Sequence, residues 1–130
     1  MTQASGVIAV SLASLPFIVP HVVEDFAEGI ESRLGLCTGC GAFLLGGFLA
    51  LQVLGLILSG RGVRRGFAVT FWVGVIWVAG ALAEHAAALL AGRFRAGAIS
   101  VLWVVGLILT QAACAVLAGS GWLRARPGTR

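Results

Sequence analysis

The side chains best suited to chemistry in this 130-residue chain begin with a short polar stretch near its start. His21, Glu24, Asp25 and Glu28 stand at i, i+3, i+4 and i+7, which places all four on one face of a helix. Pro20 directly precedes them and is suited to the first turn of a helix. The spacing therefore predicts a helical stripe of one imidazole and three carboxylates.

A second pair, Glu84 and His85, lies near the end of a long apolar segment. The pair stands about 17 residues from the start of that segment, or roughly 26 Å at 1.5 Å per residue. A bilayer core is about 30 Å thick, so this depth is close to its edge. His21 is expected to emerge at the same depth, so we expect the two groups to gather at one end of the protein.

Three kinds of chemistry fit such a cluster. Imidazole and carboxylate groups suit divalent Zn, Mn or Fe, so a transition metal is a candidate cofactor. The same groups also suit a proton relay or a general acid/base pair. A third interpretation is structural, with the stripe solvated at the interface and Glu84 paired to Arg93 or Arg95. Ionisable groups inside membrane segments usually face the bundle interior or a cavity, but no fixed motif selects one interpretation.

Cys37 and Cys40 form a Cys-x-x-Cys pair at the start of the second apolar segment. Outside the cytoplasm this spacing suggests a disulfide, a redox dithiol or a pair of soft metal ligands. Small packing residues are the plain alternative. Cys114 stands alone in the last apolar segment and is interpreted as a packing residue.

The elements that position these residues follow from composition. Hydrophobic residues make up 59% of the chain and charged residues 11%, against about a quarter charged in soluble domains. Four long apolar runs predict helices at roughly 6–30, 36–59, 67–91 and 96–120, since strands would leave backbone groups unpaired in lipid. We therefore expect one all-α transmembrane domain over residues 1–130, a four-helix bundle with short loops. Its first helix should be kinked near Pro16 and Pro20.

Arginine placement predicts the orientation. All nine basic residues are arginine, and six of them follow the second and fourth apolar runs. This bias predicts that both termini are cytoplasmic and that the acidic end faces outward. The arginines form no patch interleaved with aromatics, which excludes a nucleic-acid partner. The absence of Lys and Tyr suggests GC-rich coding, and hence a bacterial plasma membrane.

Two glutamines, Gln52 and Gln111, lie in the half of the bundle away from the acidic end. They are predicted to form polar helix–helix contacts, and a hydrogen bond from one to the other is one such contact.

Three functions remain open from the sequence, and it assigns no catalytic residue. The first is binding or transport of a cation or transition metal at the outer face. The second is a non-catalytic subunit of a homo-oligomer or larger membrane complex, with the bilayer itself as the other partner. The third is a membrane enzyme that uses His, Glu and Asp on a lipid or quinone-like substrate.

Overall fold

A computed structural model describes residues 2–94 and 97–125 and shows an all-helical protein in that part of the chain. Its helices are α1 (Gln3–Ala13), α2 (Leu15–Ala27), α3 (Ile30–Arg33), α4 (Thr38–Gly60), α5 (Arg64–Ala91) and α6 (Ala98–Arg124). The combined α1–α2 segment, α4, α5 and α6 are each long and apolar enough to cross a membrane. The predicted all-α bundle with four apolar helices is confirmed.

The kink in the first membrane segment lies at Ser14, slightly before the predicted position. The sequence predicted a kink near Pro16 and Pro20. Pro16 occupies the first turn of α2, directly after the break, whereas Pro20 lies inside that helix. A proline ring collides with the carbonyl four residues earlier, so Pro16 prevents α1 from continuing unbroken past Leu12. The Ser14 hydroxyl donates to the Ser11 carbonyl at 2.6 Å, which satisfies one of the acceptors left at the break.

The helices extend beyond the apolar runs that predicted them. α5 begins at Arg64 rather than at residue 67, and α6 continues to Arg124 rather than to residue 120. Hydropathy marks the thickness of the lipid core, whereas a helix continues as long as its backbone hydrogen bonds do. α5 ends at Ala91 and is capped by Gly92, whose φ of 62° is a left-handed conformation that glycine adopts without strain.

The interior of the bundle alternates apolar and polar layers. One apolar cluster contains Ile18, Ala81 and Leu107, directly beneath the acidic end. A second surrounds Val7 and Phe67 toward the arginine end. Buried polar side chains lie between these clusters and form hydrogen bonds from one helix to another, as is common in membrane bundles.

The buried glutamines do not have the partners that the sequence suggested. Gln52 donates to the Ser11 hydroxyl at 3.0 Å and accepts from the Trp77 indole at 2.9 Å. Gln111 donates to the Ser14 hydroxyl at 2.8 Å. The pairing of one glutamine with the other was therefore wrong. α1 packs against both α4 and α6, so Ser11 and Ser14 lie within hydrogen-bond distance of the two glutamines.

Candidate functional site

One side of the polar stripe on α2 faces the interior of the bundle. The imidazole of His21 is buried, at 4% exposure, while Asp25 one turn later is partly buried. Glu28 lies at the exposed end of the stripe. The spacing placed these residues on one helical face, and packing of α2 against α6 brings the earlier part of that face inside.

Asp25 brings the two histidines together. Its Oδ2 lies 3.3 Å from His21 Nε2, and its Oδ1 lies 3.5 Å from His85 Nε2. The two imidazole rings meet edge to face, with centroids 4.9 Å apart. One potential ligand atom from each residue lies within 4.8 Å of the other two. Among the described residues, this triad is the one group of three or more His, Cys, Asp or Glu side chains whose ligand atoms come this close together.

The triad contains buried nitrogen atoms that lack hydrogen-bond partners. Neither His21 Nδ1 nor His85 Nε2 has one within the described part of the chain. The 3.5 Å approach of His85 Nε2 to Asp25 is ion-pair contact without hydrogen-bond geometry. Buried polar atoms in folded proteins almost always have a partner, so these two nitrogens indicate room for a further ligand.

The remaining predicted carboxylates have partners of their own. Glu24 accepts a hydrogen bond from the Ser100 hydroxyl on α6. Glu84 forms an ion pair with Arg33 at 2.5 Å. The structural interpretation paired Glu84 with Arg93 or Arg95. That pairing was wrong for Arg93, and Arg95 lies outside the described residues. The short helix α3 ends with Arg33 beside α5, which places its guanidinium next to Glu84.

Two cavities give access to the triad. The first, of about 170 Å³, is polar and is lined by Asp25, His85 and the flanking charged residues, including Glu28 and Arg93. The second, of about 360 Å³, lies between α2 and α5 and is lined by His21, Asp25, Glu84, His85 and Trp77. The triad therefore has open space on more than one side.

The path from the triad into the bundle is closed by apolar side chains. Ile18 and Leu107 are both almost completely buried, at 1% and 0% exposure, and Ala81 completes this layer. The glutamine layer beyond it is joined by direct hydrogen bonds between its side chains. Within the described residues, no continuous polar path crosses a single subunit.

Cys37 and Cys40 are joined by a disulfide at the beginning of α4. Both residues are exposed, and the Cys37 sulfur also accepts from the Cys40 backbone N–H at 3.0 Å. In this oxidised state the pair offers no thiolate to a metal. Cys114 is a buried free thiol, as the packing interpretation expects.

Sequence reasoning missed two residues that shape the site. Arg33 carried a usable signal, because it is a lone positive charge among the acidic residues that precede α4. Ser100 carried none, since a serine at the start of an apolar run has many possible roles. Its contact with Glu24 joins residues 76 positions apart in the chain.

Comparison of the chain with protein-family models, curated proteins and solved structures finds no match. The geometry of the triad and its cavities is therefore the basis for a functional interpretation.

Proposed function

We propose that this membrane protein binds a divalent transition-metal ion through His21, Asp25 and His85. The observation that carries the proposal is the convergence of these side chains, from two different helices, with ligand atoms within 4.8 Å of one another. Spacing along α2 explains the first two residues, but His85 arrives from α5 through tertiary packing.

The donor set suits such an ion. Two imidazoles and a carboxylate are a ligand set typical of Zn²⁺ and other first-row divalent metals. Ligand atoms bound tetrahedrally at about 2.0–2.2 Å lie roughly 3.3–3.6 Å apart. One Asp25 oxygen lies 3.3 Å from His21 Nε2, and the other lies 3.5 Å from His85 Nε2. The ligand atoms of the triad lie within 4.8 Å of one another, so they would draw closer together around an ion. A bound cation would also give the buried His85 Nε2, which faces Asp25, the partner that it lacks.

Binding at one face is favoured over conduction through a single subunit. The layer of Ile18, Ala81 and Leu107 separates the triad from the glutamine layer. The cavities around the triad, in contrast, leave space for exchange with the adjoining face. Transport would require this apolar layer to separate, or a second subunit to supply another path.

The proposed orientation places the metal site outside the cytoplasm of a bacterial cell. Arg61, Arg64 and Arg65 lie at the connection between α4 and α5, and Arg124 ends α6 at the same side. Gln3 at the start of α1 donates to Ser120 near the end of α6 at 2.7 Å, so the start of α1 also lies there. An arginine-rich end is retained in the cytoplasm by the positive-inside rule.

Acid/base chemistry on a membrane substrate is the second candidate. It requires a cavity between the first membrane segment and α5 that is lined by His21, Asp25 and Glu84, and the 360 Å³ cavity meets that requirement. The two candidates separate experimentally, because acid/base chemistry by these residues would not need a stoichiometric metal.

Zinc titration of the purified full-length protein in amine-free detergent tests the metal proposal. After treatment with a chelator, the wild-type protein should take up one equivalent of Zn²⁺ by calorimetry and by metal analysis. The double variant His21→Ala/His85→Ala should bind at least about 100-fold more weakly, since even outer partners of metal ligands contribute 10- to 100-fold.

Glu31→Gln is the matched control, because Glu31 lies at the same end of the bundle but outside the triad. It should bind zinc as the wild type does. Circular dichroism and gel filtration establish that each variant retains its helices. Absence of zinc from the wild-type protein, or equal affinity in the double variant, would refute the proposal.

A further inference from the structure

A third cavity lies between the α2–α3 turn and the beginning of α4, next to the triad. It has a volume of about 290 Å³, close to the lower end of the roughly 300–1,000 Å³ typical of small-molecule sites. Its walls are mainly apolar and include Phe26, Ile30, Leu36 and Leu45. These walls suit an alkyl or aryl group rather than a hydrated ion.

Glu31 lies in the wall of this apolar cavity and is buried, at 6% exposure. Its Oε1 accepts a hydrogen bond from the Thr38 hydroxyl at 3.0 Å. Its Oε2 is buried with no hydrogen-bond partner in the described part of the chain. A buried carboxylate oxygen is costly without a donor, so Oε2 marks where a ligand would supply one.

The cavity selects for positive charge. Asp25 is the second ionisable residue in its wall, so both charged groups that line it are acidic. Arg33, two residues after Glu31, is already paired with Glu84. Trp77 adds an aromatic surface to the same wall, and such a surface attracts cations.

We propose that this cavity binds a primary alkylammonium group, with the ammonium on Glu31 Oε2 and the alkyl chain against the apolar wall. An ammonium offers three donors and a positive charge, which an alcohol or a carboxylate of the same length does not. Leu34 and Leu44 at the rim are 66% and 58% exposed, so the cavity opens onto the apolar surface of the protein. A free lipophilic amine has both parts of this chemistry, and the amine headgroup of a lipid shares its primary ammonium.

Calorimetric titration with hexylammonium, hexanol and hexanoate tests the inference on the full-length protein in dodecyl maltoside, a detergent without amines. The wild-type protein should bind hexylammonium at least about tenfold more tightly than hexanol, as expected for a buried charge-assisted hydrogen bond. Hexanoate should bind more weakly than either.

Glu31→Gln should abolish the preference for the ammonium, while its remaining oxygen can still accept from Thr38. Glu28→Gln removes a carboxylate from the same end of the bundle and should keep the preference. Leu45→Phe places extra volume in the cavity and should weaken binding of both the amine and the alcohol. Equal affinity for amine and alcohol, or a preference that survives in Glu31→Gln, would overturn the inference.

Two further arms separate this site from the metal site and identify the source of the amine. The His21→Ala/His85→Ala variant should lose zinc but keep hexylammonium, so failure of one proposal leaves the other standing. Loss of hexylammonium binding in that variant would count against a separate site. Once the preference is established, competition by added phosphatidylethanolamine assigns the ligand to lipid, and lack of competition assigns it to a free amine.

Discussion

Gln52 is expected to hold α1, which leads directly into α2 with His21 and Asp25, against α5, which carries His85. Its side chain donates to Ser11 on α1 and accepts from Trp77 on α5, and it is 5% exposed. Gln52→Leu removes both hydrogen bonds and leaves the partly buried indole of Trp77 without its acceptor. Interhelical hydrogen bonds in membrane proteins contribute about 0.6 kcal/mol on average and at most about 1.7. Loss of two should therefore lower the free energy of unfolding by about 1–3 kcal/mol.

A double-mutant cycle isolates the contact between Gln52 and Trp77. Trp77→Phe removes the indole donor but keeps an aromatic ring against Phe48, whose ring centroid lies 5.3 Å away. Because each single variant already breaks the shared bond, the double variant should be less destabilised than the sum of the two. The expected coupling is about 0.6–1.7 kcal/mol.

The assay is equilibrium unfolding of the detergent-solubilised protein by added dodecyl sulfate, followed by circular dichroism. Gln3→Leu combined with Trp77→Phe is the matched control cycle. Gln3 bonds to Ser120 and the Leu117 carbonyl at the arginine end, and it lies about 12 Å along α1 from Ser11. Its effects should add within about 0.5 kcal/mol. Additive effects in the Gln52 cycle, or a Gln52→Leu variant as stable as the wild type, would refute the reasoning.

Two further outcomes test the packing of α4 and the state of its cysteines. A Cβ on Gly66 would overlap the backbone of α4, so Gly66→Ala should cost about 1–3 kcal/mol of unfolding free energy by the same assay. Gly80→Ala, on the same helix with no atom within 4 Å of the new Cβ, should be neutral or stabilising by up to about 1 kcal/mol. Equal effects would contradict the close approach of α4 and α5. In alkylation experiments Cys37 and Cys40 should react only after reduction, because they form an exposed disulfide. Buried Cys114 should react only after denaturation, and labelling of Cys37 without a reductant would contradict the disulfide.

The sequence by itself determined the secondary structure of this protein. Scarcity of charge and four long apolar runs were enough to predict four helices in an all-α bundle, because lipid requires every backbone group to be bonded within its own segment. The i, i+3, i+4, i+7 spacing was enough to place His21 and Asp25 on one face of α2. These properties are local, and helix geometry converts spacing along the chain directly into position.

The tertiary structure decided which side chains meet. His85 contacts Asp25, and Glu84 forms its ion pair with Arg33 rather than with an arginine after α5. Both contacts depend on how each helix is rotated about its own axis when the helices pack. That packing depends on close contacts such as Gly66 against α4 and on the buried serines Ser11 and Ser14 beside the kink, which bond to Gln52 and Gln111. Position in an apolar run predicts how deep a residue lies in the bilayer. It does not predict which neighbouring helix the side chain faces. The polarised bundle was therefore predictable, whereas the triad and the pocket around Glu31 were set by helix rotation and packing.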